Sequence, residues 1–127
     1  MSRFMMPALC LAALCVAGVA TAEDEGELAF NKHCRNCHTY KEGDNRLAPS
    51  LHGIVGAPGG QVEGYGKYSG ALDGITWDEA TLDKFIADPQ AVAPGTNMSY
   101  PPVHDAAERK KIIEFLKSTG SSDPSSP

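Results

Sequence analysis

The spacing of apolar residues predicts a helix near the start of the chain. From Gly26 to His38, the residues Phe30, Cys34, Cys37 and His38 stand at positions i, i+4, i+7 and i+8. Residues at this spacing lie on one face of a helix. The same face would therefore carry an apolar ring, two thiols and an imidazole.

Two further helices are predicted from a capping signal followed by an apolar stripe. Thr76–Glu79 has the pattern of a capping box and would open a helix that Pro89 ends. Asp105–Glu108 has the same spacing of cap and acid and would open a last helix, which Gly120 ends. The apolar stripes of the two helices consist of Leu82, Phe85 and Ile86, and of Ile112, Ile113, Phe115 and Leu116.

The segment between Gly43 and Gly74 contains nine glycines and two prolines, and only one short helix is predicted there, from Ser69 to Leu72. A loop of this length is unusual inside a compact domain. Apolar residues are nevertheless spaced along it, namely Leu51, Ile54, Val55, Tyr65, Tyr68 and Leu72. This pattern predicts loops that wrap a large apolar cofactor, which glycines allow the backbone to approach closely.

Residues 1–22 have the pattern of a secretory signal. Arg3 precedes an apolar stretch from about Ala8 to Val19, and Ala20, Thr21 and Ala22 form an A-x-A cleavage site. The apolar run is shorter than the roughly 20 residues of a membrane span. The alternatives are an uncleaved signal that tethers the protein and a lipoprotein anchor at Cys15. The large Leu14 argues against the lipoprotein anchor.

The expected organisation is a signal peptide over 1–22, one domain over 23–120 and a disordered tail over 121–127. Cleavage removes Arg3 and none of the 16 acidic residues, so the formal charge changes from −5 to −6. A chain this acidic is not expected to bind nucleic acid or anionic membrane surfaces. Export by the signal predicts a periplasmic location.

Cleavage would also remove Cys10 and Cys15, which leaves Cys34 and Cys37 in the run CRNCH. In an exported chain, C-x-x-C-H is typical of covalent haem attachment, in which both thiols form thioethers and His38 binds the iron. A disulfide between residues so close in sequence would stabilise little. A structural zinc site needs four ligands, and the remaining sequence has no second Cys or Cys/His pair to complete one. A thioredoxin-like enzyme would need strands and helices that alternate around the two cysteines, and the sequence shows no such pattern.

Met98 is the best candidate for the second axial ligand. Met1, Met5 and Met6 would leave with the signal, and Met98 lies in a turn-rich polar stretch where a core side chain would be unusual. Its soft thioether suits iron. The competing ligands are the histidines outside the motif, and their sequence positions make them weaker candidates: His33, His52 and His104.

The order of the motifs closely resembles that of the class I cytochromes c, in particular their mitochondrial-like bacterial branch. The resemblance covers about residues 26–116 and rests on CRNCH, APSLHG, YGKYSGAL, GITW, FIADP, PGTNM and IIEFL. It implies an all-α fold of three to five helices, with long loops wrapped around one covalently bound haem. The terminal helices are expected to cross near Gly26, with Phe30 and Leu116 in the contact.

The resemblance also implies roles for individual residues. The carbonyl of Pro49 would accept a hydrogen bond from the ring of His38. Tyr68 and Trp77 would hydrogen-bond a haem propionate, although both could also be core aromatics. Thr96 would steady the loop that carries the methionine.

Several positions depart from the pattern of the family. Ala48 replaces a glycine before the proline, and Ala57 stands where a basic residue often lies near the propionates. Lysines that commonly surround the exposed haem edge are replaced by neutral residues, whereas Lys32 matches a docking position. The neutral residues are Gln90, Ala91 and Asn97.

We therefore expect a soluble periplasmic carrier of single electrons, not an enzyme. It would carry one haem c, dock respiratory or photosynthetic redox partners at the exposed haem edge, and be a monomer without stable membrane insertion. Three alternatives remain open at this stage: a haem subunit or tethered module of an oxidase or dehydrogenase, a peroxide-active haem enzyme, and a haem-free disulfide protein.

Overall fold

The computed structural model describes residues 12–16 and 18–121. Within these residues the chain forms four helices and no strand, apart from an isolated bridge between Pro58 and Thr76. The helices are α1 (Ala22–His33), α2 (Glu79–Ala87), α3 (Pro89–Val92) and α4 (Ala106–Thr119). The all-α prediction is confirmed. Most of the predicted signal, namely 1–11 and Ala17, and the tail from 122 onward lie outside the described residues.

Helix α1 begins and ends earlier than the apolar spacing indicates. Thr21 caps its start in a capping box with Asp24, and the helix ends at His33. The predicted continuation to His38 is wrong, because Arg35 N bonds back to Phe30 O at 3.3 Å and widens the end of the helix. The CRNCH run then forms a tight turn, in which His38 N donates to Cys34 O at 2.9 Å.

The cap of α2 is Asp78 and not Thr76. The Asp78 side chain accepts a hydrogen bond from Thr81 N at 2.7 Å. Thr76 is held instead in the bridge to Pro58, where Trp77 N donates to Ala57 O at 2.8 Å. Gly56 N also donates to Trp77 O at 2.6 Å, so both backbone groups of Trp77 are paired with the loop and Trp77 cannot form the first turn of a helix.

The predicted helix from Ser69 to Leu72 is absent, and the chain forms single turns at this place. Asp73 N donates to Gly70 O, and Ile75 N donates to Leu72 O. Gly70 and Gly74 have φ angles of 86° and 79°, which are left-handed values that interrupt a right-handed helix. The segment is therefore a series of turns, as its glycine content suggests.

Helices α1 and α4 cross where Gly26 faces α4. The predicted cap of α4 is confirmed, since the Asp105 side chain accepts from Ala107 N and Glu108 N. The rings of Phe30 and Phe115 pack across the crossing with centroids 5.8 Å apart. The predicted crossing is confirmed, with Phe115 opposite the glycine and Leu116 buried in the adjoining core.

Among the described residues, no helix has both the length and the apolar character that crossing a lipid bilayer requires.

Candidate haem site

A cavity of about 340 Å³ lies between the helices and the long loop. Its walls bring together the thiols of Cys34 and Cys37, the imidazole of His38 and the thioether of Met98. No Asp, Glu, Lys or Arg among the described residues lines it. The remaining walls are mainly apolar and aromatic, and include Leu51, Ile54, Tyr65, Leu72, Trp77, Leu82, Phe85, Ile112 and Leu116.

The two cysteines lie on one side of the cavity, in the turn that follows α1. Cys37 N donates to Cys34 O at 3.2 Å, which closes the turn and keeps both residues on the cavity wall. Burial, and then the neighbouring Cys37, raise the pKa of the Cys34 thiol to about 12. Cys34 is therefore a protonated thiol at neutral pH in the unmodified chain.

His38 is buried beside the cysteines with one ring nitrogen engaged. Its Nδ1 lies 2.7 Å from the carbonyl oxygen of Pro49, which can only accept, so Nδ1 carries the proton. Burial lowers the pKa of His38, and the hydrogen bond to Pro49 opposes this shift. The result is a neutral imidazole whose Nε2 lone pair is available to a metal ion.

The carbonyl of Pro49 is itself supported by residues that sequence reasoning missed. Ser50 N donates to the Asn45 side chain at 2.9 Å, and the buried Ser50 hydroxyl donates to Lys41 O at 2.6 Å. The available signal was the serine directly after the proline of APSLHG, a residue type that can bond to nearby backbone groups. These bonds determine the direction of the carbonyl that orients His38.

Met98 lines the same cavity as His38, and Thr96 lies beside it. The hydroxyl of Thr96, which is 7% exposed, accepts a hydrogen bond from Met98 N at 3.3 Å. A contact of this kind suits the role that was expected of Thr96. It joins the methionine to a buried, well-packed neighbour.

Tyr68 and Trp77 also line the cavity. The Tyr68 hydroxyl accepts a hydrogen bond from Val62 N at 3.3 Å, and its proton remains free to donate. Trp77 packs against Phe85 with centroids 4.8 Å apart, and its indole N–H has no hydrogen-bond acceptor among the described residues. Both side chains therefore have a donor to offer a carboxylate.

The competing histidines are placed less favourably than His38. His33 lines the cavity, but its Nε2 lies 3.3 Å from Glu108 Oε2. His52 is exposed, with Nδ1 3.3 Å from Tyr40 O. His104 is exposed as well, and neither His52 nor His104 lines the cavity.

This arrangement fits a haem. In residues 12–16 and 18–121, no group of three or more His, Cys, Asp and Glu side chains could hold a metal ion. A neutral imidazole and a thioether on one apolar cavity suit an iron that is held mainly by its own macrocycle. The adjoining thiol pair suits attachment of that macrocycle to the chain.

Comparison with known proteins agrees with this geometry. The cytochrome c family model matches residues 23–120. The chain is 42% identical over 95 residues to cytochrome c2 of Rhodopila globiformis, which covers 73% of this chain and 89% of that protein. It is 40% identical over 86 residues to cytochrome c2 iso-2 of Magnetospirillum molischianum, covering 66% and 88%.

A solved structure, cytochrome cH from Methylobacterium extorquens, superimposes with a TM-score of 0.68 at 40% identity and covers 74% of this chain and 95% of its own. The chain belongs to the cytochrome c family, as a class I monohaem electron carrier with one covalently bound haem c.

Proposed function

We propose that the protein is a soluble periplasmic shuttle that carries single electrons between respiratory or photosynthetic partners, with His38 and Met98 as the axial iron ligands. The observation that carries this proposal is the pairing within one cavity of a neutral imidazole, oriented by Pro49, and the Met98 thioether. When bound, the haem supplies the ferric–ferrous couple. A methionine opposite a histidine raises the reduction potential of that couple.

The proposed path to the working protein begins with export. Residues 1–22 act as the cleaved signal, whose removal also takes away the Thr21 cap of α1, and 23–120 form the haem domain. After export, Cys34 and Cys37 would hold the haem through two thioether bonds. Each would form by addition of the S–H across one vinyl double bond, with sulfur on one carbon and hydrogen on the other, so no oxidant or reductant would be needed.

The residues around the cavity have separate tasks. Pro49 fixes the tautomer and direction of His38, while Thr96 steadies Met98. Tyr68 and Trp77 donate to a propionate. With His38 and Met98 both bound to it, the haem iron would offer no open site to a substrate, which disfavours peroxide chemistry.

Partners are proposed to dock where the cavity reaches the surface beside the cysteine turn. Leu47 lines the cavity and is 73% exposed there, and Ala48 N donates to Cys37 O at 3.0 Å, which holds this segment against the haem-attachment turn. An exposed apolar side chain at the cofactor edge supports brief contact with a partner. Interfaces of electron-transfer proteins are small and weak.

A redox titration with a reduced-minus-oxidised spectrum of the native protein tests the ligation. Replacing Met98 with Ala should lower the potential and open the iron to added ligands, while the haem stays covalently attached. His33→Ala is the control, because it removes the other histidine that lines the cavity. An unchanged potential in the Met98 variant would assign the sixth ligand to another residue.

Two further measurements separate the alternatives. Rapid, stoichiometric binding of carbon monoxide to the reduced protein would indicate an open iron and contradict the shuttle. N-terminal sequencing of the native protein, with cell fractionation, tests the tether. An N-terminus at Glu23 in the soluble fraction would exclude tethering by the signal, whereas an intact signal in the membrane fraction would support a tethered module.

A further inference from the structure

The side chain of Gln90 binds two successive residues of the loop that carries Met98. Gln90 lies on α3, and its Nε2 donates to Thr96 O at 2.8 Å. Its Oε1 accepts from Gly95 N at 3.1 Å. One amide therefore spans the turn just before Met98 and ties it to the helix.

The connection continues from this turn to the methionine. Thr96 N donates to Ala93 O at 3.0 Å, and the Thr96 hydroxyl accepts from Met98 N at 3.3 Å. Gln90 is thus hydrogen-bonded to the carbonyl of Thr96, and the hydroxyl of Thr96 is hydrogen-bonded to the amide of Met98. The position of the thioether on the cavity wall depends on this short chain of hydrogen bonds.

Only a primary amide can make both bonds of Gln90. A lysine has three donors and no acceptor, so it would leave Gly95 N without its partner. A glutamate accepts but cannot donate, so it would place a carboxylate beside the carbonyl of Thr96. Gln90 is one of the positions where a docking lysine is expected from the family, yet here the side chain is engaged within the protein.

The opposite side of the loop is held in a similar way. Asn97 Nδ2 donates to Lys67 O at 2.8 Å, which joins the residue before Met98 to the segment that carries Tyr68. Asn97 is also a neutral replacement of an expected lysine. Two amides therefore bracket the methionine, one toward α3 and one toward the long loop.

We infer that Gln90 is a positioning residue for the iron ligand, which keeps Met98 seated by bridging Gly95 and Thr96 to α3. The inference rests on the proposed ligation by Met98. It explains why a glutamine and not a lysine stands at position 90: its amide stabilises the loop that carries the iron ligand.

The test measures how often Met98 leaves the iron in the holoprotein. Imidazole added to the ferric protein binds when the methionine is displaced, and the red charge-transfer band that marks methionine–iron ligation is lost. Gln90→Leu removes both hydrogen bonds without adding an iron ligand. We expect it to increase the rate of imidazole binding about five- to tenfold, as the loss of two modest hydrogen bonds would.

The chain offers matched controls. Gln61 is exposed and has no side-chain hydrogen bond to another described residue, so Gln61→Leu makes the same change and should leave the rate unaltered. Gln90→Glu keeps the acceptor but places a carboxylate beside Thr96 O, so it should also bind imidazole faster than the wild type. Asp105→Ala removes the cap of α4 and weakens the fold at a residue outside the cavity wall, so a rate that rises equally in this variant would attribute the effect to general destabilisation and overturn the inference.

The outcomes distinguish the inference from the proposal on which it rests. If the wild-type protein shows the band and Gln90→Leu binds imidazole no faster, Gln90 has no positioning role and the ligation by Met98 stands. If the wild-type protein lacks the band and binds imidazole without displacement of a ligand, the ligation proposal fails, and the role of Gln90 fails with it.

Discussion

Gly26 on α1 lies against Phe115 on α4 so closely that no side chain could fit between the two helices. A Cβ atom at Gly26 would be 2.6 Å from Phe115 Cβ and 2.8 Å from Lys111 O. The backbone of α1 therefore rests directly on α4. This contact determines the crossing of the terminal helices, and His33 and Cys34 at the end of α1 depend on it for their place on the cavity wall.

Replacing Gly26 with Ala should destabilise the protein by about 1–3 kcal/mol, because the helices must move apart to admit the methyl group. Chemical denaturation of the holoprotein measures this difference. Gly66→Ala is the matched control, since a Cβ there would meet nothing within 4 Å and its φ is not left-handed. Equal stability of the two variants would show that the helices can move apart at Gly26 without loss of folding free energy.

Arg109 connects α4 to α2 and to the segment that follows Met98. Its guanidinium donates to Asp83 at 2.8 Å, to Val103 O at 2.9 Å and to His104 O at 3.0 Å, and its side chain is only 13% exposed. Arg109→Leu removes all three hydrogen bonds of a largely buried guanidinium, so we expect a loss of about 2–3 kcal/mol in denaturation experiments.

The comparison variant for Arg109→Leu is Arg46→Leu, which removes a largely exposed ion pair with Asp44. Exposed pairs contribute little, so that variant should lie within about 1 kcal/mol of the wild type. A reversed order of the two stabilities would contradict the role given to Arg109.

Asp78 makes the stability of α2 dependent on pH. Its hydrogen bonds to Thr81 lower the pKa of the carboxyl below the ordinary value of 3.8. The stabilisation is therefore present above pH 3.8 and is lost as the pH falls through the folded-state pKa. Asp78→Asn keeps a capping side chain that does not ionise.

Thermal unfolding at neutral pH and in acid measures the contribution of Asp78. The asparagine variant should be somewhat less stable at neutral pH and should lose less stability on acidification than the wild type. Parallel pH profiles would show that ionised Asp78 contributes nothing to α2.

Leu47 should affect partner reactions without affecting the fold. Leu47→Asn changes an exposed side chain at the cavity mouth, so stability should stay within about 0.5 kcal/mol. Oxidation of the reduced protein by membranes of the source organism should slow roughly two- to fivefold. Leu28→Asn is the control, because Leu28 is 68% exposed but does not line the cavity. Equal rates for the two variants would move the docking surface elsewhere.

Part of the fold follows from local patterns in the sequence. The cap at Asp105 and the stripe after it predict α4 correctly, because the signal and the element it controls are adjacent in the chain. The cap at Thr76 was predicted by the same rule and is wrong, since the bridge to Pro58 competes for that backbone. Long-range pairing overrides local propensity in this case, and a single sequence does not display it.

The sequence by itself determined the chemistry of attachment. Cys34, Cys37 and His38 are neighbours in the chain, so their proximity needs no fold, and the signal pattern with the cysteine count left few other uses for them. The order of the motifs was also sufficient to place the chain in its family.

Only the tertiary structure decided how the second side of the site is held. Met98 stands 60 residues beyond His38 in sequence, and the two reach one cavity because α1 and α4 cross at Gly26 and the loops close around them. The bridge from Gln90 to Gly95 and Thr96 likewise depends on the path of the backbone. These hydrogen bonds join a common side-chain amide to backbone groups that every residue has. They depend on where the fold places those groups, so no sequence motif indicates them.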